Sequence, residues 1–234
     1  MNQMLGVSNR ILDALPKDVW ERWECEIEEV SLELGDVLYQ AGSKMKYAYF
    51  PLDAVISILS DLENGASTEV AVVGYEGLVG ASIFMGDALT SHSAVVLSSG
   101  RAYRLSSALI SLEFNHSPSV MQLLLCYVQS LIGQMCQTAA CNRHHSVSQQ
   151  LCRLLLMLND RVEGDEMNIT QELLARTLGV RREGVTEAAL SLQKKGLIRY
   201  SRGHITLIDR SGIEDLSCEC YAVVKKSVCS CLIN

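Results

Sequence analysis

Gln171–Lys195 reads QELLARTLGVRREGVTEAALSLQKK, and the spacing within it decides the architecture. Leu173, Leu174 and Leu178 recur at helical intervals, with Asn168 or Thr170 placed to cap the first turn. Gly179 supplies a backbone that can leave the helix sharply. A second helix, predicted from about Arg181, turns Val185, Ala188, Ala189 and Leu192 to one side. Ala175 is small enough for the helices to approach closely, and β-branched Val185 packs the second on the first. Two helices crossing through so short a turn form a helix-turn-helix, whose second helix reads the DNA major groove.

Downstream, Gly196-Leu197-Ile198 ends the helix, and IRYSRGHITLI reads as two short strands about Arg202-Gly203. A hairpin in that place is a wing suited to the phosphate backbone. Between Gln171 and His204 seven basic residues accompany three acidic ones, a local charge of +4 in a chain whose total is −7. A basic reading unit on an acidic protein is the footprint of a DNA binder. Arg181, Arg182, Glu183 and Thr186 occupy the first turn and a half of the second helix. There a guanidinium can donate twice to guanine and a carboxylate can accept from cytosine, the roles expected of Arg182 and Glu183. Arg202, His204 and the amides near Thr170 and Gln171 suit phosphate.

Working outward, residues 1–27 carry a helical pattern, and from Glu28 the period shortens. VSLELGDVLYQAG, KYAYFPLDAVISILSDL, TEVAVVG and AVVLSSGRAYRL read as short strands, with Asn64-Gly65 as a hairpin turn. The expected fold is α+β, with an N-terminal antiparallel β-roll, a long helix and a C-terminal winged helix-turn-helix. The long helix opens at Pro118 and runs to about Asn142, stepping apolar through Leu124, Val128, Leu131, Met135 and Thr138. Alternating four- and three-residue steps mark a seam for a parallel partner, so these five residues are expected at a dimer interface. The predicted division is 1–117, 118–142 and 143–234, with NDRVEGDE (159–166) a solvated loop and His144-His145 a polar hinge.

With 48% hydrophobic and 20% charged residues and only three prolines, the composition is that of a soluble globular protein. The longest clean apolar run, Leu123–Val128, falls short of a membrane span, and the N-terminus lacks a secretory pattern, so a cytoplasmic protein is expected. Nine cysteines, an odd number, do not suggest a disulfide framework. Cys218, Cys220, Cys229 and Cys231 could hold zinc or oxidise in pairs, but helical residues two apart point away from each other. No metal or cofactor is therefore expected. No glycine-rich phosphate loop, HExxH or GxSxG motif is present, and the chain is read as a non-enzyme.

The order of roll, long helix, ITQELLARTLGVRREGVTEAALSLQKKGLI and wing resembles the Crp/Fnr superfamily of bacterial transcription regulators. Members read like TQEDLAxxLGVSRETVSRxLxxLxxxGLI, and the chain matches at Thr170, Gln171, Glu172, Leu174, Ala175, Leu178, Gly179, Arg182, Glu183, Val185, Gly196 and Leu197, among others. It departs at Arg181, Gly184 and Glu187, where Ser, Thr and Arg are common. The resemblance implies a homodimer on a palindromic double-stranded DNA operator, with RNA polymerase a further candidate partner. It also implies a cyclic-nucleotide-binding-like sensor, whose cassette places Gly-Glu-Leu before Arg-Ser/Thr-Ala. The nearest equivalents here are Gly74–Gly80 and His92-Ser93-Ala94, giving Gly74, Glu76, Gly77, Leu78, His92 and Ser93 as candidate effector contacts. His92 stands where the phosphate arginine belongs, and a neutral imidazole cannot replace a charged bidentate fork. Cyclic AMP is thus not the expected effector, and the small molecule is left unassigned. The alternative reading is a thiol-based redox or zinc-binding sensor whose winged helix contacts proteins.

Overall fold

In the computed structural model, residues 8–86, 89–162, 164–201 and 203–230 are described. Instead of one helical stretch over 1–27, α1 (Arg10–Asp13) and α2 (Lys17–Trp23) are separated at Pro16, which has no amide hydrogen to continue the first. Asn9 caps α1 by accepting from the Ile11 and Leu12 amides. Its side-chain nitrogen donates to the carbonyls of Pro51 and Gly77 at 2.9 and 2.8 Å, which fastens the helix to the roll.

The roll contains β1 (Glu28–Leu32), β2 (Val37–Tyr39), β3 (Tyr47–Pro51), β4 (Val55–Asp61), β5 (Ser67–Val73), β6 (Ser93–Ser98) and β7 (Gly100–Ser106). All pairings are antiparallel, in one sheet ordered β1-β7-β3 and another ordered β2-β6-β4-β5. Gly65, at φ +82°, makes the expected turn between β4 and β5. Leu32, Ile56, Ile58, Val73, Val96 and Ala102 bring both sheets into one apolar core.

After α3 (Ser107–His116) comes α4 (Pro118–His144), with proline in the first turn where its missing donor costs nothing. Length and composition alone would suit α4 to a membrane span. One face is nevertheless fixed to the roll. The Tyr127 hydroxyl donates to the Leu78 carbonyl at 2.6 Å, and Gln134 bonds both the amide and the carbonyl of Val72. This corrects the expected dimer seam. Leu124 and Val128 are buried against the N-terminal helices and the roll, and Leu131 and Met135 pack on the core between the roll's sheets. Thr138 is buried too, accepting from Arg153. Leu124, Val128 and Thr138 are thus taken up within the protomer, while Leu131 and Met135 stay partly exposed.

The C-terminal domain comprises α5 (Val147–Asn159), β8 (Glu166–Asn168), α6 (Gln171–Leu178), α7 (Arg182–Lys194), β9 (Ile198–Ser201), β10 (His204–Leu207), α8 (Arg210–Leu216) and α9 (Cys220–Ser230). Ser146 and Gln149 form a capping box that starts α5. The wing has three strands, ordered β8-β10-β9, so part of the predicted solvated loop is sheet. Leu154, Leu155, Leu174, Leu192 and Ile205 form the domain's core, which continues into Val55, Val72 and Leu97 of the roll.

Candidate nucleic-acid interface and sensor site

Thr170 is the residue that caps α6, accepting from the Leu173 amide at 3.1 Å, while Asn168 lies in β8. Gly179 ends α6 in the left-handed region at φ +64°. α7 then starts at Arg182 with Arg181 as its extended N-cap. Leu174, Ala175 and Leu178 are buried against Val185, Ala188, Ala189 and Leu192. The Thr186 hydroxyl shares its one proton between the Gln171 side-chain oxygen across the pair, at 3.0 Å, and the Arg182 carbonyl within α7, at 2.9 Å. These contacts engage Thr186 and the side-chain oxygen of Gln171.

Arg181, Arg182, Glu183 and Glu187 project into solvent from the N-terminal half of α7, beside a half-exposed Leu190. Gln171, Arg182, Glu183, Thr186, Glu187 and Leu190 line one open groove. Lys194 and Lys195, at the far end of α7, and Arg199, in β9, are exposed as well. His204 lies 3.2 Å from the Glu166 carboxylate on the neighbouring strand, which leaves its ring less available to phosphate. Arg202 lies outside the described residues. Arg176, counted in the basic cluster, instead turns to the roll, donating to the Ser67 hydroxyl at 2.9 Å.

The candidate effector residues divide into two groups. Gly74 follows β5, whose last residue pairs with Ile56, whereas Ser93 begins β6 opposite Leu59 near the other end of β4. At about 3.3 Å per residue, that separates the groups by about 13 Å along the sheet. Glu76 is buried and bound to Arg161, with Nε and Nη2 reaching the same carboxylate oxygen at 2.8 and 2.7 Å. A Cβ at Gly74 would sit 2.8 Å from the Arg161 side chain, and one at Gly77 would meet the Tyr127 ring at 2.7 Å. Leu78 is core. Ser93 donates to Asp61 and accepts from the Ala41 amide. His92 holds a buried Nδ1 without a hydrogen-bond partner among the described residues. The cassette expected to hold a ligand is thus occupied by the protein's own side chains.

Arg161 belongs to a polar seam between the domains that sequence reasoning missed, having placed it in solvent. Glu69, on β5, is buried and accepts from the Ser57 hydroxyl at 2.8 Å. Burial pushes its carboxyl up to about 7, while Arg153, Ser57 and Arg161 pull the other way. Arg153 is also buried, with one bond to Thr138 and its Nε unpartnered among the described residues. Beside the Glu76–Arg161 pair opens a cavity of about 300 Å³, with Arg10 and Tyr75 on one side and Asp160, Tyr221 and Lys225 on the other.

A β-roll of cyclic-nucleotide-binding type, joined through a long helix to a winged helix-turn-helix, defines a class of ligand-responsive DNA-binding proteins. Residues 29–111 match the family model of the cyclic nucleotide-binding domain, and residues 149–216 match that of the Crp-like helix-turn-helix domain. Together the two take in more than half of the chain, in the order seen in solved Crp/Fnr structures, and the chain belongs to the Crp/Fnr family of transcription regulators. Similar structures include a Crp/Fnr transcriptional regulator from Eubacterium rectale, at 15% identity and TM-score 0.70, covering 88% of this chain and 96% of that one. FixK2 from Bradyrhizobium japonicum aligns at 14% identity and TM-score 0.69, over 82% and 98% of the two chains. The c-di-GMP-responsive regulator CLP from Xanthomonas campestris gives 16%, 0.66, and 82% and 99%. No curated protein matches by sequence.

Proposed function

We propose that this regulator acts in the cytoplasm as a homodimer that reads a roughly palindromic operator without cyclic AMP. The observation that carries the reading is the solvent-facing start of α7, where Arg182, Glu183 and Glu187 stand clear of the core and, with Gln171 of α6, line one open groove. Arg182 suits guanine and Glu183 cytosine; Arg181, Lys194, Arg199, Arg202 and the first amides of α6 suit phosphate, with Thr170 acting as cap. His204 and Thr186 position neighbours rather than carry the main contacts.

Dimerisation is assigned to the outward face of α4. Gln122, Leu125, Gln129, Ile132, Cys136, Ala139 and Arg143 are exposed at alternating three- and four-residue steps, a second seam one position away from the buried one. Two reading helices would then enter successive major grooves about one helical turn apart. An effector other than cyclic AMP fits a roll whose Glu76 is already paired and whose His92 supplies no fixed charge. RNA polymerase is a partner that this family membership suggests.

The test is a gel shift and footprint on DNA upstream of the protein's own gene, at two salt concentrations and without ligand. A protected two-half site whose affinity falls steeply with salt is expected. Arg182→Ala should cost about 1–3 kcal/mol and relax the preference at one base pair per half-site. Unchanged affinity and preference in that variant would remove α7 as the reading helix.

A further inference from the structure

Cys141 lies in the last turn of α4, and His145, four residues on, is that helix's C-cap. Cys218 sits in the short break after α8, and Cys220 opens α9. The break resolves the objection to a C-x-C pair, because the two thiols do not share a helix. One ligand atom from each of these four residues lies within 4.8 Å of every other. Cys141 Sγ is 3.5 Å from Cys218 Sγ, and Cys220 Sγ is 3.5 Å from His145 Nδ1. A tetrahedral ion with bonds of about 2.3 Å to sulfur and 2.0 Å to nitrogen holds its ligand atoms roughly 3.5–3.8 Å apart. Two edges therefore already have about that length, and the others need close by only about an ångström.

We propose that Cys141, His145, Cys218 and Cys220 bind one zinc ion, which ties the end of α4 to the junction of α8 and α9. The surroundings have the features such a site needs. His145 Nε2 lies 3.3 Å from the Glu219 carboxylate, an outer partner that leaves Nδ1 turned toward the sulfurs. Gln137 donates to Cys220 Sγ at 3.0 Å. Three thiolates, a neutral imidazole and Zn²⁺ carry a net charge of −1. Arg153 supplies the compensating cation: it is buried, and it donates to Thr138, one turn before Cys141 on α4. Four protein ligands leave no open position, so the ion is structural and not hydrolytic. Sulfurs this close suit one ion; the sulfides of an iron–sulfur cluster would hold them farther apart. The far pair of the C-terminal cysteines is not needed: the Cys229 side chain and Cys231 lie outside the described residues.

This site stands independently of operator recognition and is tested on the full chain. Metal content is measured by plasma mass spectrometry after purification without chelators. One zinc per chain is expected in the wild type and in Cys25→Ser, an exposed-cysteine control, with the metal lost from Cys141→Ser and Cys218→Ser. Because a buried serine can disturb folding, exposed Glu219→Gln provides a second reading. It should fold, retain zinc and bind it about 10–100-fold more weakly in competition with a chromogenic chelator. Restoring Zn²⁺ alone to chelator-stripped wild type should raise its thermal midpoint and shield three thiols from a thiol reagent. Absence of metal with all these thiols reactive, stoichiometric iron in place of zinc, or zinc retained in full by Cys218→Ser overturns the assignment.

Discussion

Glu69 shows what one buried carboxyl can do to the whole chain. Its carboxyl titrates near 7 in the fold against an ordinary 4.5, because burial disfavours the charge more than Arg153 and Ser57 favour it. The folded protein therefore keeps a proton that the unfolded chain releases between those values. The resulting stability is full below about pH 4.5 and is lost as pH rises through about 7. Thermal unfolding of wild type and Glu69→Gln should show wild type losing up to about 3 kcal/mol relative to the variant between pH 4.5 and 7.5. Parallel stability profiles would show that the carboxyl titrates alike in both states. Arg182 is the contrasting case: it stands in solvent, adds little to the fold, and is expected to matter only against DNA.

Among the elements, the helix-turn-helix was legible because its determinants are local. Thr170 caps, Gly179 turns left-handed, and the apolar set from Leu174 to Leu192 lies within nineteen residues. α4 was legible as a helix but not in its orientation. It carries two seams one residue apart, the outer one interrupted by Gln122, Gln129 and Arg143, and periodicity alone does not say which one the roll covers. Bonds from Tyr127 and Gln134 to the roll settle that question in favour of the Leu124–Val128 side. The outward seam leads to a direct expectation. Leu125→Glu combined with Ile132→Glu places like charges against each other across a two-fold axis, and sedimentation should show monomers at concentrations where wild type is dimeric. A dimer that survives both changes would move the interface elsewhere. The loop after α5 was misread because Arg161 looks solvated until its partner, 85 residues earlier, is brought beside it.

At the scale of the molecule, the domains meet through a shared apolar core, the Glu76–Arg161 pair, and Arg176 against the β4–β5 hairpin. Here a buried glutamate after β5 fastens the roll to the DNA-binding domain. Removing one member leaves an uncompensated buried charge, so Arg161→Met alone should cost about 3–5 kcal/mol. Glu76→Gln with Arg161→Met should cost less than the sum of the single changes, as read from urea unfolding in a double-mutant cycle. Additive costs would mean that the pair does not couple the domains.

The contacts that join the two halves also have a timetable. Cys141 and Cys218 are 77 residues apart in sequence, and Glu76 and Arg161 are 85 apart. At roughly 5–20 residues per second of synthesis, the later partner emerges some 4–17 seconds after the earlier one. For that interval the roll and α4 stand without the domain that covers them, with Glu76 and Cys141 lacking their later partners. The roll must hold its own shape during that wait, and the nascent chain is most exposed to aggregation and thiol oxidation just before its last helix is made.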